Sequence, residues 1–214
     1  MKDSTIGLKN VSFGYLQKPI IEDLSFSIKL GQFVAITGEN GAAKTTSMKL
    51  LLGLLKPWKG LRQWSNGLKS SYVPQQISTI EQDFPSTVYE FILSGSWDAK
   101  KWFKRVTKDD HKRARDLIEQ FELQHIQNQS IGKLSGGQKQ KACVARAFMT
   151  KPDVLMLDEP TVGMDEDTRC FFYQILKSMC PQVTIVLITH HIKESKPYVD
   201  QIIHLERRKN VCLN

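Results

Sequence analysis

Apolar positions along the chain follow two different periods. Over roughly the first thirty residues, Leu8, Val11 and Phe13, and then Leu24, Phe26 and Ile28, stand among polar neighbours, a spacing that predicts antiparallel strands with one face exposed. The run Phe33-Val34-Ala35-Ile36-Thr37 is short, rich in β-branched residues and bounded by Gly31 and Gly38, which predicts a buried strand. From Thr45 onward Met48, Leu51, Leu52 and Leu55 recur at helical spacing until Lys56-Pro57, so a helix is expected to follow that strand. Late in the chain Val154-Leu155-Met156-Leu157 and the run from Val183 to Thr189 predict two more buried strands, with a helix over 168–179 between them. That is βαβ order, which implies a parallel sheet covered by helices. At its N-terminal end the sheet is expected to be mixed.

The middle of the chain, about 77–148, is more helical and more charged. Thr107, followed three residues later by Asp110, marks a helix start ahead of Ala114, Leu117, Ile118 and Phe121. We therefore expect a single α/β domain over 1–214. Its core would span about 1–76 and 149–214, with a helical subdomain inserted at about 77–148. No internal repeat, low-complexity tract or long linker interrupts it.

Composition narrows the class. At 214 residues, 41% hydrophobic and 24% charged, the chain resembles a soluble globular protein, and no apolar run approaches the ~18 to 20 residues that span a bilayer. Met1-Lys2-Asp3-Ser4-Thr5 leads into a mixed polar stretch unlike a signal peptide, so a cytoplasmic location is expected. Cys143, Cys170, Cys180 and Cys212 lack metal or redox spacing and read as inert thiols. A net charge of +8 suits nucleic acid, an anionic membrane face or an anionic ligand, and does not choose among them.

The chemistry lies where the predicted elements meet. Gly38-Glu39-Asn40-Gly41-Ala42-Ala43-Lys44-Thr45, with Thr46 next, falls between strand and helix, where backbone N–H groups and a helix N-terminus can face an anion. Lys44 would reach the β- and γ-phosphates of a nucleotide, and the Thr45 hydroxyl would ligate Mg²⁺. Ala43 stands where such loops carry glycine, a substitution the backbone tolerates if φ there is negative. The strand through Leu157 ends in Asp158, suited to the Mg²⁺ shell, and Glu159, suited to polarise water as a general base. Leu134-Ser135-Gly136-Gly137-Gln138 places paired glycines behind a serine at a helix start, exposing backbone donors.

That five-residue stretch, about twenty residues before the acidic strand, resembles the signature of ABC ATPases. The match runs from Tyr15 to His190 in the family's order. The resemblance implies an adenine-stacking role for Tyr15 and a Mg²⁺- and γ-phosphate-sensing role for Gln75, in Tyr72-Val73-Pro74-Gln75. It implies a dimer-communicating loop at Val162-Gly163-Met164-Asp165, and makes His190, rather than His191, the residue that contacts the γ-phosphate and orients water. It implies ATP and Mg²⁺, and a homodimer in which each ATP lies between Lys44 of one chain and Ser135 and Gly137 of the other. Integral membrane permease subunits complete the expected assembly, with this chain peripheral on the cytoplasmic face of the membrane, and no nucleic acid is expected.

Phe84-Pro85-Ser86-Thr87-Val88 and the Gly163 loop look like those of zinc and manganese uptake ATPases, which implies an extracytoplasmic metal-binding protein as well. The chain ends about two dozen residues after His190, leaving no room for the regulatory domain of many sugar-importing relatives. Two rivals stand beside this reading. A non-transport ABC ATPase acting on DNA or the ribosome would usually carry a long coiled coil or a second cassette, and neither is present. A nucleotide-binding module that no longer hydrolyses is suggested by Ala43 but opposed by Lys44, Asp158, Glu159 and His190.

Overall fold

The computed structural model describes residues 5–75, 84–97 and 105–206. Cys212 and the parts of the expected helical subdomain at 76–83 and 98–104 lie outside the described residues. The element order is β1 (Thr5–Tyr15), β2 (Lys18–Lys29), β3 (Phe33–Gly38), α1 (Lys44–Leu52), β4 (Lys59–Gln63) and β5 (Ser70–Val73). There follow α2 (Val88–Leu93), α3 (Lys108–Gln120), α4 (Gly136–Phe148), β6 (Val154–Asp158), α5 (Glu166–Ser178), β7 (Thr184–Ile188), α6 (Ile192–Ser195) and β8 (Gln201–Leu205).

The expected mixture of parallel and antiparallel strands is divided between two sheets instead of sharing one. β2, β1 and β4 form an antiparallel sheet, and β5, β6, β7, β3 and β8 form a second in which every pairing is parallel. Both faces of the parallel sheet are covered, which is why β3, β6 and β7 read as unbroken apolar runs. Side chains alternate across it. Leu155, Leu157, Ile185 and Leu187 pack with α2 to α5, whereas Val154, Met156, Val186 and Ile188 pack with α1 and the inner face of the antiparallel sheet at Ile6, Leu8, Val11 and Ile28.

Helix ends follow local chemistry. Thr87 with Glu90, Thr107 with Asp110 and Ser135 with Gln138 form reciprocal capping boxes at α2, α3 and α4, each satisfying two otherwise orphaned N–H groups. α1 stops at Leu52, short of the Leu55 that its apolar spacing suggested. Gly53 takes φ 79° and its N–H closes on Leu50, a left-handed cap that ends the helix before Pro57 can.

The register matters most for function. Ile36 of β3, Ile188 of β7 and Asp158 of β6 are paired at one level across three adjacent parallel strands. Whatever follows each strand therefore emerges at the same edge, the carboxyl end where open α/β sheets assemble ligand sites.

Candidate active site

The loop after β3 bends through Gly38 (φ 148°), Gly41 (φ 84°) and Ala43 (φ 60°) before α1 begins at Lys44. At Gly38 a Cβ would meet the Leu205 carbonyl oxygen at 2.2 Å, so the neighbouring strand excludes any side chain there. The condition set for Ala43 is not met: its φ is positive, so the alanine occupies the left-handed conformation. Its carbonyl still accepts from the Ser47 N–H at 2.8 Å and the Ser47 hydroxyl at 3.0 Å, which pins that conformation in the first turn of α1. Lys44 is buried, and its ammonium donates to the Gly38 and Glu39 carbonyls at 2.9 and 3.0 Å, with no carboxylate partner among the described residues. A buried cation held only by neutral groups is costly, and an anion in the loop relieves that cost.

Across the strand ends lie two acids in different surroundings. Asp158 is buried; its Oδ2 accepts from the Thr45 hydroxyl at 2.9 Å and the Tyr72 hydroxyl at 3.2 Å, while its Oδ1 has no protein partner. Burial pushes this carboxyl above its ordinary value, and the two hydroxyls oppose the shift. Tyr72 is itself pushed up to about 12, by burial first and then by the Asp158 charge and hydrogen bond. An unpartnered carboxylate oxygen beside a threonine hydroxyl is a donor set that fits Mg²⁺.

Glu159 turns away from Asp158 through a left-handed backbone (φ 49°), its N–H held by the Ile188 carbonyl at 3.0 Å. A glutamate in that region carries strain of about 1–3 kcal/mol, a feature that clusters at functional sites. Its Oε2 accepts from the Gln75 amide at 2.7 Å, and its Oε1 lies 2.7 Å from His190 Nε2. His191 faces Glu194 instead, at 3.6 Å. Lys44, Thr45, Asp158, Glu159, His190 and Gln75 thus come together, joined through Thr45 and the β6 end.

The other expected residues lie elsewhere. Tyr15 is at the tip of the β1–β2 hairpin, half exposed, its ring edge-on to Phe13 at 5.0 Å. Ser135, Gly136, Gly137 and Gln138 open α4 into a cleft of about 680 Å³ shared with Gly163, Met164 and Asp165, and no residue of the phosphate loop lines it. Lys141 also lines the cleft, so a helix N-terminus and an ammonium face the same space. Asp165 caps α5, accepting from the Thr168 N–H at 2.8 Å and hydroxyl at 2.9 Å, and these bonds hold its carboxyl below the ordinary range.

A family model described as "ABC transporter" matches residues 21–162, well over half of the chain. The chain belongs to the ABC transporter family. This ABC ATPase is 42% identical to the high-affinity zinc uptake system ATP-binding protein ZnuC of Bacillus subtilis, over 94% of this chain and 91% of that protein. It is 38% identical to the zinc transport system ATP-binding protein AdcC of Streptococcus pneumoniae (96% and 91% covered). It is 33% identical to the manganese transport system ATP-binding protein MntB of Listeria innocua (95% and 87%). Among solved structures it resembles a dimeric bacterial ABC transporter cassette at TM-score 0.76 and 26% identity, with 94% of each chain covered. It also resembles a cassette dimer bound to ADP and phosphate after hydrolysis, at TM-score 0.73 and 25% identity, covering 95% of this chain and 97% of that one. Its activity is ATP hydrolysis coupled to transport.

Sequence reasoning missed three residues that hydrogen-bond at or beside the candidate site: Tyr72 to Asp158, Arg169 to the Met164 carbonyl, and Tyr173 to Thr161 and Thr189. For Tyr72 the signal was weak, a tyrosine in a four-residue strand whose neighbour β6 lies far along the chain. Cys143 and Cys180 are pushed up to about 11 by burial, as inert thiols should be.

Proposed function

We propose that this ABC ATPase, peripheral on the cytoplasmic face of the membrane, powers uptake of a divalent transition metal, zinc or manganese, through separate integral membrane subunits. The observation that carries the catalytic part is the clasp on Glu159, a carboxylate at the phosphate-loop edge with Gln75 on one oxygen and His190 on the other. In this reading Lys44 and the loop N–H groups of residues 39–46 bind the β- and γ-phosphates, Tyr15 stacks on adenine, and Glu159 takes the proton of the attacking water, which His190 orients. Thr45, Asp158 and Gln75 would hold Mg²⁺, which supplies charge neutralisation for the phosphates when bound.

Dimerisation is supported by Gly136. It is the first residue of α4, and a Cβ there would meet nothing within 4 Å. The chain's own fold gives no reason for it, whereas close approach of a second chain's ATP does. The helical elements α2 to α4 would carry the motion to the permease subunits, and an extracytoplasmic metal-binding protein would deliver the ion. The metal rests on the likeness to ZnuC, AdcC and MntB. The rival role on nucleic acid or the ribosome gains nothing from relatives that are named for transport.

Glu159→Gln is expected to bind Mg-ATP, lose hydrolysis and accumulate an ATP-dependent dimer by light scattering, because the amide keeps its size but cannot accept the proton. Adding Ser135→Arg should abolish that dimer. Parental turnover in Glu159→Gln, or binding without association, would overturn the composite site. Deleting the chain should impair growth under chelation, and unchanged cellular zinc and manganese would remove the metal while leaving the ATPase.

A further inference from the structure

Helix α5 reaches both segments that flank the proposed catalytic glutamate. On its first turn, one Arg169 nitrogen (Nη1) donates to the Met164 carbonyl in loop 161–165, and the other (Nη2) donates to Glu194 Oε1 at 3.2 Å. Glu194 stands 3.6 Å from His191. One turn later the Tyr173 hydroxyl lies 3.3 Å from the Thr161 hydroxyl, at the start of that loop, and 3.2 Å from the Thr189 hydroxyl, at the end of β7. Thr189 Oγ1 also accepts the His191 N–H at 3.0 Å. His190 sits between these two anchored residues.

Thr161, Tyr173 and Thr189 are each at most 2% exposed, so bulk water does not replace a broken link. A tyrosine hydroxyl carries one proton, so the chain Thr161–Tyr173–Thr189 runs in one direction at a time, and moving either end leaves a buried polar group unpaired. Residues four apart on a helix share a face, and α5 is packed into the core through Phe172, Ile175 and Leu176. A shift of loop 161–165 is therefore transmitted to 189–191 rather than absorbed.

We propose that Tyr173 and Arg169 are positioning residues that tie loop 161–165 to the segment bearing His190 and so hold His190 on Glu159, from which it stands 2.7 Å in the single chain. The proposal rests on the reading of Glu159 and His190 given above. It differs from simple packing because the Tyr173 ring, fully buried beside Phe172 and Tyr198, is kept by phenylalanine while the hydroxyl is not.

The test compares Tyr173→Phe, Thr161→Val and Thr161→Ser in the full chain. Tyr173→Phe is expected to keep the parental KM for ATP and, in the Glu159→Gln background, the parental ATP midpoint for dimerisation. Its kcat should fall by about tenfold, the worth of a lost buried hydrogen bond in alignment. Thr161→Val should match it, the pair together should lose no more than either alone, Thr161→Ser should restore turnover, and Arg169→Gln should fall by a similar factor. A kcat within twofold of the parent in both Tyr173→Phe and Thr161→Val overturns the brace, as does equal loss of kcat and ATP affinity, which is what a structural defect gives. A parent whose hydrolysis ignores Glu159→Gln removes the catalytic reading and the brace with it. A parent that needs Glu159 but tolerates Tyr173→Phe removes the brace alone.

Discussion

Replacing Ala43 with glycine should stabilise the nucleotide-free chain, although glycine is the more flexible residue. Ala43 sits at φ 60° and ψ 28°, where a Cβ crowds the following carbonyl at a cost of about 1–2 kcal/mol. Glycine removes that cost but gives the unfolded chain more conformations to lose, an opposing effect of about 0.4–1 kcal/mol. The difference favours glycine by roughly 0.5–1 kcal/mol, and for a domain of this size each kcal/mol moves Tm by about 2–4 °C. A rise of about 1–4 °C is therefore expected, read by near-ultraviolet circular dichroism or scanning calorimetry without nucleotide.

Ala43→Val supplies the contrast, because a β-branched side chain in the left-handed region is worse than alanine, so its Tm should fall. ATP affinity should change little in Ala43→Gly, since the loop N–H groups and the Lys44 ammonium, which carry the charge complementarity, are untouched. An unchanged or lower Tm in Ala43→Gly together with a tolerated Ala43→Val would show that residue 43 is not held at positive φ, and the strain argument would fail.

Tyr72→Phe should raise the Mg²⁺ concentration needed for half-maximal mant-ADP binding by roughly 10-fold, the usual cost of losing a partner behind a metal-binding carboxylate, with little change in binding without Mg²⁺; an unchanged Mg²⁺ requirement would detach Tyr72 from Asp158's role. Asp165→Ala should lower Tm by about 2–4 °C through loss of the α5 cap, while Asp165→Asn should retain most of it. Because the folded-state pKa of Asp165 is depressed, the part of its contribution that needs the charge is full above the ordinary aspartate range and is lost as pH falls through the lowered value. The Tm gap between parent and Asp165→Ala should therefore narrow on acidification and stay constant above about pH 5.

What could be read in the sequence was whatever depends on contiguous backbone. The strand, loop and helix at 33–52, the acids ending β6 and the capped start of α4 each state their conformation within about ten residues, through apolar period, capping pairs and glycines. The choice of His190 over His191 came only through the family resemblance, and the geometry places His190 alone on Glu159. The parallel pairing of β6 with β7 followed from βαβ order and the antiparallel character of β1 and β2 from their alternation, but which further segment lies beside each was illegible. Whether β1 and β2 join the parallel strands or stand apart depends on β4 completing their sheet, and Tyr72 acquires its role only because β5 lies beside β6. Nor does sequence pattern report a dihedral, so the sign of φ at Ala43 stayed open until the structure placed it at 60°.

The clasp on Glu159 leaves the base available. An ionised carboxylate has about four acceptor sites, and Gln75 and His190 occupy one on each oxygen, so each oxygen can still receive a proton from water. The same accounting constrains Glu159→Gln. The amide has one acceptor oxygen and one donor nitrogen. While Gln75 presents its N–H, the oxygen faces Gln75 and the nitrogen faces His190, which must then accept through an unprotonated Nε2 with any proton on Nδ1, the reverse of the parent, where Nε2 donates to the carboxylate. If the Gln75 amide turns over to present its oxygen, the nitrogen faces Gln75 and His190 donates as before. A hydrolysis defect in Glu159→Gln therefore reports on the clasp as a whole and not on Glu159 alone.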